Sequence, residues 1–296
     1  MTRRTCLMAL SALLARAADR LPANKNVKWA LGSNLWNSFP PVPFTEILDV
    51  MRDTGFIGIR LTQFPQILTK YNITAEQMEA EVNKRKLHVI TVSFSSTPAD
   101  KPELHEQTIV KAKEAMIYLK RFGANHLVVF SPRRGQTPET FEIACKFFNR
   151  LGALANEMGF KAGLHNHLGQ MVQTPEEIDR CMELTDPKLF HFSPDTAHVH
   201  LGGGDVPKIL EKYKHRLMLA DYKDAKREVL STGSFLPNIF DLGDGEIDFP
   251  ACHRVLKSVS FKGWICVDLD IARAGIKTSY ERCGAYAVKT LEPIYT

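Results

Sequence analysis

The feature that most constrains the fold of this 296-residue chain is a regular alternation of short apolar runs with longer amphipathic stretches. The apolar runs have the length and composition of buried β-strands, whereas the stretches between them repeat apolar residues at the spacing of a helix face. Strict alternation of this kind predicts a parallel sheet, because neighbouring parallel strands need a long crossover connection that is usually helical.

The alternation comprises eight units. Strands are expected over residues 27–36, 56–63, 87–96, 126–135, 160–167, 189–198, 217–225 and 263–272, and helices over 44–55, 74–86, 103–123, 137–159, 174–186, 206–216, 249–261 and 279–295. A closed (β/α)8 TIM barrel is favoured, since about 250 residues is typical of that fold. An open, doubly wound sheet is the alternative, but its glycine-rich phosphate turn is missing after the first strand, where the sequence is SNLWNSFPP. We predict an α/β protein with one barrel domain over residues 18–296.

The first 17 residues are expected to be an export signal. Arg3 and Arg4 form a basic start, residues 6–15 form an apolar core too short to span a bilayer, and residues 15–17 offer a small-x-small cleavage site. The paired arginines resemble a twin-arginine signal, which predicts a periplasmic or exported protein. A cytoplasmic protein that keeps this extension is the alternative. No other segment is apolar for long enough to cross a membrane.

Charge argues against a nucleic-acid partner. The formal net charge is +5, but three of the positive charges, Arg3, Arg4 and Arg16, lie in the first 17 residues, which contain no acid. The rest of the chain therefore lacks the basic excess of nucleic-acid-binding proteins. The six cysteines form no C-x-x-C pair, and we expect them to be small buried residues without disulfide bonds.

Polar side chains follow four consecutive strands, at the point where each strand ends. Strand 5 ends in His165 and His167, strand 6 in Asp195 and His198, strand 7 in Asp221 and Lys223, and strand 8 in Asp268 and Asp270. Alternate residues of a strand share a face, so His165 and His167 are expected to point the same way. The C-terminal strand ends of a barrel form its active-site mouth. Clustered carboxylates repel one another unless a cation holds them, so a functional site is expected there.

Several of these segments resemble the xylose-isomerase-like TIM-barrel superfamily of sugar isomerases, epimerases and inosose dehydratases. The resemblance runs from about residue 28 to 295 and is carried by GLHNHLG (163–169), SPDTAHVHLGGGD (193–205), LADYKD (219–224), LGDGEIDF (242–249) and GWICVDLD (263–270). The inosose-dehydratase-like branch is the most similar, through the polar end of strand 5 and QTPEEIDRCMELTDP (173–187). The resemblance implies a metal-dependent isomerase, epimerase or dehydratase of a sugar, keto-sugar or inosose.

The resemblance also implies a set of metal ligands. Superfamily enzymes hold a divalent metal with Glu, Asp, His and Glu from strands 5 to 8, and these positions correspond to His165, Asp195, Asp221 and Asp268. Three carboxylates and one histidine are kept, although the histidine has moved from strand 7 to strand 5. Mixed nitrogen and oxygen ligands suit Mn²⁺, Mg²⁺, Co²⁺ or Zn²⁺, and the sequence does not choose among them.

The chemistry that the resemblance implies is removal of a proton next to a carbonyl, with the resulting enediolate stabilised by the metal. His165 is expected either as a ligand or as the base, and Asp270 as a substitute for Asp268. The catalytic candidates are His165, His198, Asp268 and Lys223, and the candidates for binding substrate are His167, Trp36, Arg60 and Arg133.

Two other functions stay open on the sequence. A lyase that cleaves 3-keto-glycosides by β-elimination would use the same proton abstraction, and a non-catalytic sugar-binding barrel would keep the fold without turnover. A DNA-repair endonuclease of this barrel type is disfavoured by the weak charge and the few spare ligands. We expect a small sugar or polyol as the partner, no nucleic acid, no membrane span, and a homodimer.

Overall fold

The computed structural model describes residues 26–95, 98–227 and 233–295. The expected export signal over residues 1–17 lies outside these ranges, so the export of the protein stays a prediction. Within the described ranges, no helix combines the length and the apolar character that a membrane span requires. The five cysteines of the described ranges are free and buried, as the sequence predicts.

Eight parallel strands form a single curved sheet. They are β1 (Val27–Gly32), β2 (Gly58–Phe64), β3 (His88–Ser95), β4 (His126–Phe130), β5 (Lys161–His165), β6 (Phe190–Phe192), β7 (Ala220–Tyr222) and β8 (Gly263–Val267). Their hydrogen-bonded order is β6-β5-β4-β3-β2-β1-β8-β7. Parallel bridges from Phe192 to Leu217 and from Asp195 to Asp221 join the two outer strands, so the sheet closes into a barrel. The (β/α)8 prediction is confirmed.

Each strand is followed by a helix that packs outside the barrel. These eight helices are α1 (Phe44–Thr54), α2 (Ala75–Lys84), α3 (His105–Lys120), α4 (Pro138–Glu157), α5 (Pro175–Leu184), α6 (Val206–Tyr213), α7 (Phe249–Ser258) and α8 (Ile276–Tyr286). Local sequence signals fix several helix starts. Thr137 and Thr174 form capping boxes before α4 and α5, each with proline in the first turn.

The barrel interior is filled by its own small apolar cluster, separate from the larger core. This cluster contains Ala30, Ile90, Val128, Met218, Leu219 and Cys266. Because side chains two residues apart share a face of a strand, Gly32 and Asp268 stand one layer above Ala30 and Cys266. Arg60 pairs in register with Gly32. The interior is therefore apolar at its centre and becomes charged at the C-terminal end.

Strand 6 is shorter than its sequence pattern predicts. The pattern extends over residues 189–198, but β6 ends at Phe192 and a short helix occupies Thr196–Leu201. Asp195 explains the difference, since its carboxylate accepts a hydrogen bond from the backbone N–H of His198 and caps that helix. Strand 1 likewise ends at Gly32, where a 3-10 helix, Ser33–Ser38, begins. Both early endings place polar residues at the barrel mouth.

Candidate active site

Charged side chains from four strands, and a histidine from a fifth, meet at the C-terminal end of the barrel. Arg60 lies on β2, His165 ends β5, Asp195 follows β6, Asp221 and Lys223 lie on and just after β7, and Asp268 and Asp270 follow β8. We call these seven residues the charged cluster. All of them except Asp270 are at most 3% exposed, although charged groups are rarely buried without a partner. The cluster contains all four of the expected metal ligands.

Lys223 makes the most ion pairs of this cluster. Its Nζ lies 3.0 Å from Asp195 Oδ2, 2.7 Å from Asp268 Oδ2 and 2.7 Å from Asp270 Oδ2. Burial alone would lower the pKa of this ammonium, but the three carboxylates raise the pKa well above its usual value. Lys223 is therefore a permanent cation inside the barrel mouth.

Asp268 is bound by a cation on each of its oxygens. Arg60 Nη2 lies 2.7 Å from Oδ1, and Lys223 lies on Oδ2. Burial would raise the pKa of Asp268, but Arg60 and Lys223 more than offset this and hold the pKa below its usual value. Only glycine fits at position 32, since a Cβ there would lie 2.1 Å from Asp268 Oδ1. Asp268 is thus a fixed carboxylate with no free oxygen.

His165 lies between two aspartates. Its Nδ1 is 2.9 Å from Asp221 Oδ2, without the alignment of a hydrogen bond, and its Nε2 is 3.6 Å from Asp195 Oδ2. Burial and the nearby Arg60 lower the pKa of His165 to about 3, so the ring is neutral. A neutral imidazole has a lone pair available for a metal or a proton.

The charged cluster has two more carboxylates than cations. Four aspartates face only Arg60 and Lys223. Burial raises the pKa of Asp195 to about 6, partly offset by Lys223, and it raises the pKa of Asp221 to about 6, partly offset by Arg60. Asp195 and Asp221 are therefore the carboxylates for which burial outweighs the effect of the neighbouring cations.

The donor atoms of this cluster fit a divalent cation in chemistry and in charge. Asp195 Oδ2, both carboxylate oxygens of Asp221 and Nδ1 of His165 are buried and make no aligned hydrogen bond, apart from a weak contact of Asp221 with the Cys266 thiol. One divalent ion would balance the two excess carboxylates. The arrangement is not a finished metal site, because the two nitrogens of His165 face different aspartates. Across the described ranges, no three His, Cys, Asp or Glu side chains are already placed to hold a metal.

A cavity of about 140 Å³ opens beside the cluster. Its lining residues are Asn34, Asn37, Arg60, Thr62, Gln63, Ser93, Phe130, His165, His167, Lys223, Asp268 and Asp270. His165 and His167 both face this cavity, as the strand alternation predicts. Asn34 was not found by the sequence reasoning; its Nδ2 donates to Asp270 Oδ1 over 2.9 Å and holds that carboxylate at the rim. The only sequence signal for Asn34 is its place just after β1.

His167 and His198 form a close pair, with ring centroids 3.7 Å apart. His167 Nδ1 lies 2.7 Å from the carbonyl oxygen of Leu168, so this nitrogen carries the proton and Nε2 has the lone pair. Burial and Lys223 lower the pKa of His167. His198 is fully buried and does not line the cavity, which differs from the expected acid or base at this position. It packs behind His167 and supports that ring.

Two expected substrate-binding residues lie away from the cavity. Trp36 is buried and stacks on Tyr280 with ring centroids 5.9 Å apart, because the 3-10 helix after β1 turns it into the core. Arg133 is exposed, in a loop whose backbone bridges to Gln170. Neither residue lines the 140 Å³ cavity beside the charged cluster.

Asp224 organises the loop that follows the barrel mouth. Its two oxygens accept hydrogen bonds from the backbone N–H groups of Ala225, Gly243, Gly245 and Ile247, at 2.9 to 3.2 Å. A Cβ at Gly245 would lie 2.0 Å from this carboxylate. The LGDGEIDF segment is thus shaped by Asp224, next to Lys223.

Replacing Asp224 with asparagine is expected to lower the free energy of unfolding by about 2–4 kcal/mol, because an amide cannot accept on both sides. Asp244→Asn, an exposed change in the same loop, is the control and should change the free energy of unfolding by less than about 0.5 kcal/mol. Urea denaturation measures both, and faster hydrogen exchange at Gly243 and Gly245 should accompany the loss. Equal stability of the two variants would contradict this role of Asp224.

Comparison with known proteins agrees with the fold. The profile of the xylose isomerase-like TIM barrel family matches residues 42–283, which is most of the chain. The chain belongs to this family. The family match includes all seven residues of the charged cluster.

Curated relatives carry the name inosose dehydratase. The protein of Bacillus velezensis is 36% identical over 152 residues, which cover 48% of this chain and 51% of that protein. The chain thus spans about half the length of that relative. The protein of Clostridium perfringens (strain 13) is 28% identical over 278 residues, which cover 83% of this chain and 91% of the relative.

Solved structures confirm the fold at low identity. The probable 3-DHS dehydratase AsbF from Bacillus anthracis has a TM-score of 0.75 at 14% identity, covering 89% of this chain and 99% of that one. The IOLI protein with a bound zinc atom also has a TM-score of 0.75 at 14% identity, and the match covers 91% of this chain and 99% of that one. At such identity these similarities show the shared barrel alone.

Proposed function

We propose that this protein is an enzyme that removes a proton next to the carbonyl of a sugar, keto-sugar or inosose, with the help of a divalent metal. Isomerisation, epimerisation or dehydration of that substrate follows from where the proton returns or which group leaves. The observation that carries the proposal is the buried charged cluster, with two unbalanced carboxylates, beside a polar cavity. The inosose dehydratase relatives support the substrate class.

The metal would be held by His165, Asp195 and Asp221. Their buried donor atoms lack aligned hydrogen bonds. Asp268 differs in that each of its oxygens lies 2.7 Å from a cation, Oδ1 from Arg60 and Oδ2 from Lys223. When bound, a divalent metal polarises a carbonyl and stabilises the negative charge that develops beside it. Mn²⁺, Mg²⁺, Co²⁺ and Zn²⁺ all accept such mixed ligands. Asp268 keeps Arg60 and Lys223 in place.

His167 is the proposed base. It faces the cavity, its Nδ1 proton is fixed by the carbonyl of Leu168, and Nε2 is left to accept a proton. Its lowered pKa keeps the ring neutral before the reaction. His198, tilted against it with ring centroids 3.7 Å apart, holds the ring in one orientation. His167 thus takes the role that the sequence analysis gave to His165 or His198.

The cavity suits a single small polar ring. Its volume of about 140 Å³ is below the roughly 300–1,000 Å³ of pockets for drug-sized ligands. Asp270 and Asn34 at the rim present a carboxylate and an amide, which can bind the hydroxyl groups of a sugar or polyol. Phe130 packs against His165, with ring centroids 4.4 Å apart, and makes one wall apolar.

Solvent deuterium exchange tests the proposal without knowledge of the product. The full chain, loaded with each of the four metals in turn, is incubated with an inosose or a 3-keto-glucoside in D₂O and followed by NMR. We expect deuterium at the carbon next to the carbonyl, and the products then separate isomerase, epimerase, dehydratase and β-eliminating lyase. Exchange should be lost in His167→Asn and kept in His215→Asn, a change at an exposed histidine. Sugar binding without exchange for any metal would support the non-catalytic barrel instead.

A further inference from the structure

Lys223 occupies a cation position of its own inside the charged cluster. An ammonium group has three N–H donors, and Nζ has three carboxylate oxygens within 3.0 Å, from Asp195, Asp268 and Asp270. The side chain is only 1% exposed, so its charge is balanced mainly by these carboxylates rather than by solvent. The ammonium therefore lies between Asp195 and Asp268, two of the four carboxylate or histidine positions expected to bind metal.

The backbone keeps Lys223 next to Asp195. The N–H of Lys223 donates to Thr196 Oγ1 over 2.9 Å, and that hydroxyl donates to the carbonyl oxygen of Lys223 over 2.8 Å. Thr196 directly follows Asp195, whose Oδ1 is occupied in capping the short helix. Only Oδ2 of Asp195 is then left to be shared between the ammonium, 3.0 Å away, and a metal.

On the basis of the proposed function, we infer that Lys223 competes with the metal for Asp195 and withholds Asp268 from it. The metal is therefore bound through three protein ligands rather than four, and the ammonium weakens it further by repulsion between like charges. The consequence is a weakly held, exchangeable metal whose affinity is set by Lys223.

The same competition couples the metal to the substrate. If Asp195 bound a metal, Lys223 would keep Asp268 and Asp270 and would gain one free N–H donor. Lys223 lines the cavity, so this donor is available to a substrate oxygen. Because coupling between two ligands is reciprocal, bound substrate should in turn tighten the metal.

Calorimetric titration of Mn²⁺ into the metal-stripped full chain tests this inference. Lys223→Met should bind Mn²⁺ at least about tenfold more tightly than the unmodified chain, whereas Lys223→Arg, which keeps the charge, should stay within about threefold. Binding by the methionine variant alone would also support the inference. Equal or weaker binding by that variant, or no binding by either protein, would overturn it.

A charge-matched variant guards against two complications. Lys223→Met removes a cation from a buried acidic cluster, which weakens folding and raises the net negative charge. In the double variant Lys223→Met/Asp270→Asn, one cation and one carboxylate are removed together, so the charge balance stays as in the unmodified chain. Mn²⁺ should still bind several-fold more tightly; affinity equal to the unmodified chain would mean that net charge alone, and not the position of Lys223, controls the metal. These titrations measure metal affinity only, so failure of the deuterium exchange would reject the proposed function separately.

Discussion

Asp195→Asn is expected to weaken Mn²⁺ binding by at least about a hundredfold, because even residues that only orient metal ligands contribute about 10–100-fold to affinity. Deuterium exchange into an inosose should fall to background in the same variant. Asparagine is also a good helix cap, so it keeps the hydrogen bond to the N–H of His198 and the short helix after β6. The change therefore removes the charge of Asp195 and leaves its structural role.

Asp205→Asn is the matched control for this variant. Asp205 caps α6 through the N–H of Lys208, in the same way that Asp195 caps the preceding short helix, but its carboxylate lies outside the charged cluster. Metal content by elemental mass spectrometry and Mn²⁺ titration should distinguish the two variants, while their melting temperatures stay close to that of the unmodified chain. Loss of metal in both, or in neither, would remove Asp195 from the metal site.

Arg60→Met is expected to lower the free energy of unfolding by about 3–5 kcal/mol, since it leaves buried carboxylates without their partner. Arg60 Nη2 is 2.7 Å from Asp268 Oδ1, and its Nε is 3.6 Å from Asp221 Oδ1. Burial would lower the pKa of Arg60, but these two aspartates raise it well above the usual value. The loss is measured by urea denaturation at neutral pH without added metal.

Two comparisons make the Arg60 result specific. Arg85→Met removes a more exposed arginine that pairs with Asp49 and Glu81 outside the barrel. This change should lower the free energy of unfolding by no more than about 1 kcal/mol. Asp268→Asn added to Arg60→Met removes one of the unpaired charges and should recover part of the stability. If Arg60→Met lowered the free energy of unfolding no more than Arg85→Met does, the buried pair of Arg60 and Asp268 would not be a source of stability.

The barrel was predictable because its strands are read directly from local patterns. Eight apolar runs and eight helical stretches specify the fold class, and the closed topology then carries His165, Asp195, Asp221 and Asp268 to one end of the barrel. The end of strand 6 was predicted wrongly because a side chain there overrides the apolar pattern of the strand. Asp195 ends strand 6 by capping a helix, and the D-T-A-H spacing was an available signal for that cap.

The arrangement inside the site was less predictable, because it depends on contacts between distant residues. Asn34 reaches Asp270 across 236 positions of sequence, and Lys223 reaches three carboxylates from two strand ends. Local sequence does not encode which nitrogen of His165 faces which aspartate. Residue types at strand ends thus indicate that a site exists, whereas the pairing of its charges needs the three-dimensional structure.

The bridge that closes the barrel pairs two carboxylate residues of the charged cluster. Asp195 and Asp221 are register partners across the join between β6 and β7, and the N–H of Asp221 donates to the carbonyl oxygen of Pro194 over 2.8 Å. Mutual repulsion of their side chains acts directly on this join, which consists of two isolated bridges. A bound cation would relieve that repulsion, so we expect metal binding to stabilise the closed barrel at this join. Hydrogen exchange at the backbone amides of Met218 and Asp221, which bond across this join, should therefore become slower when metal is bound.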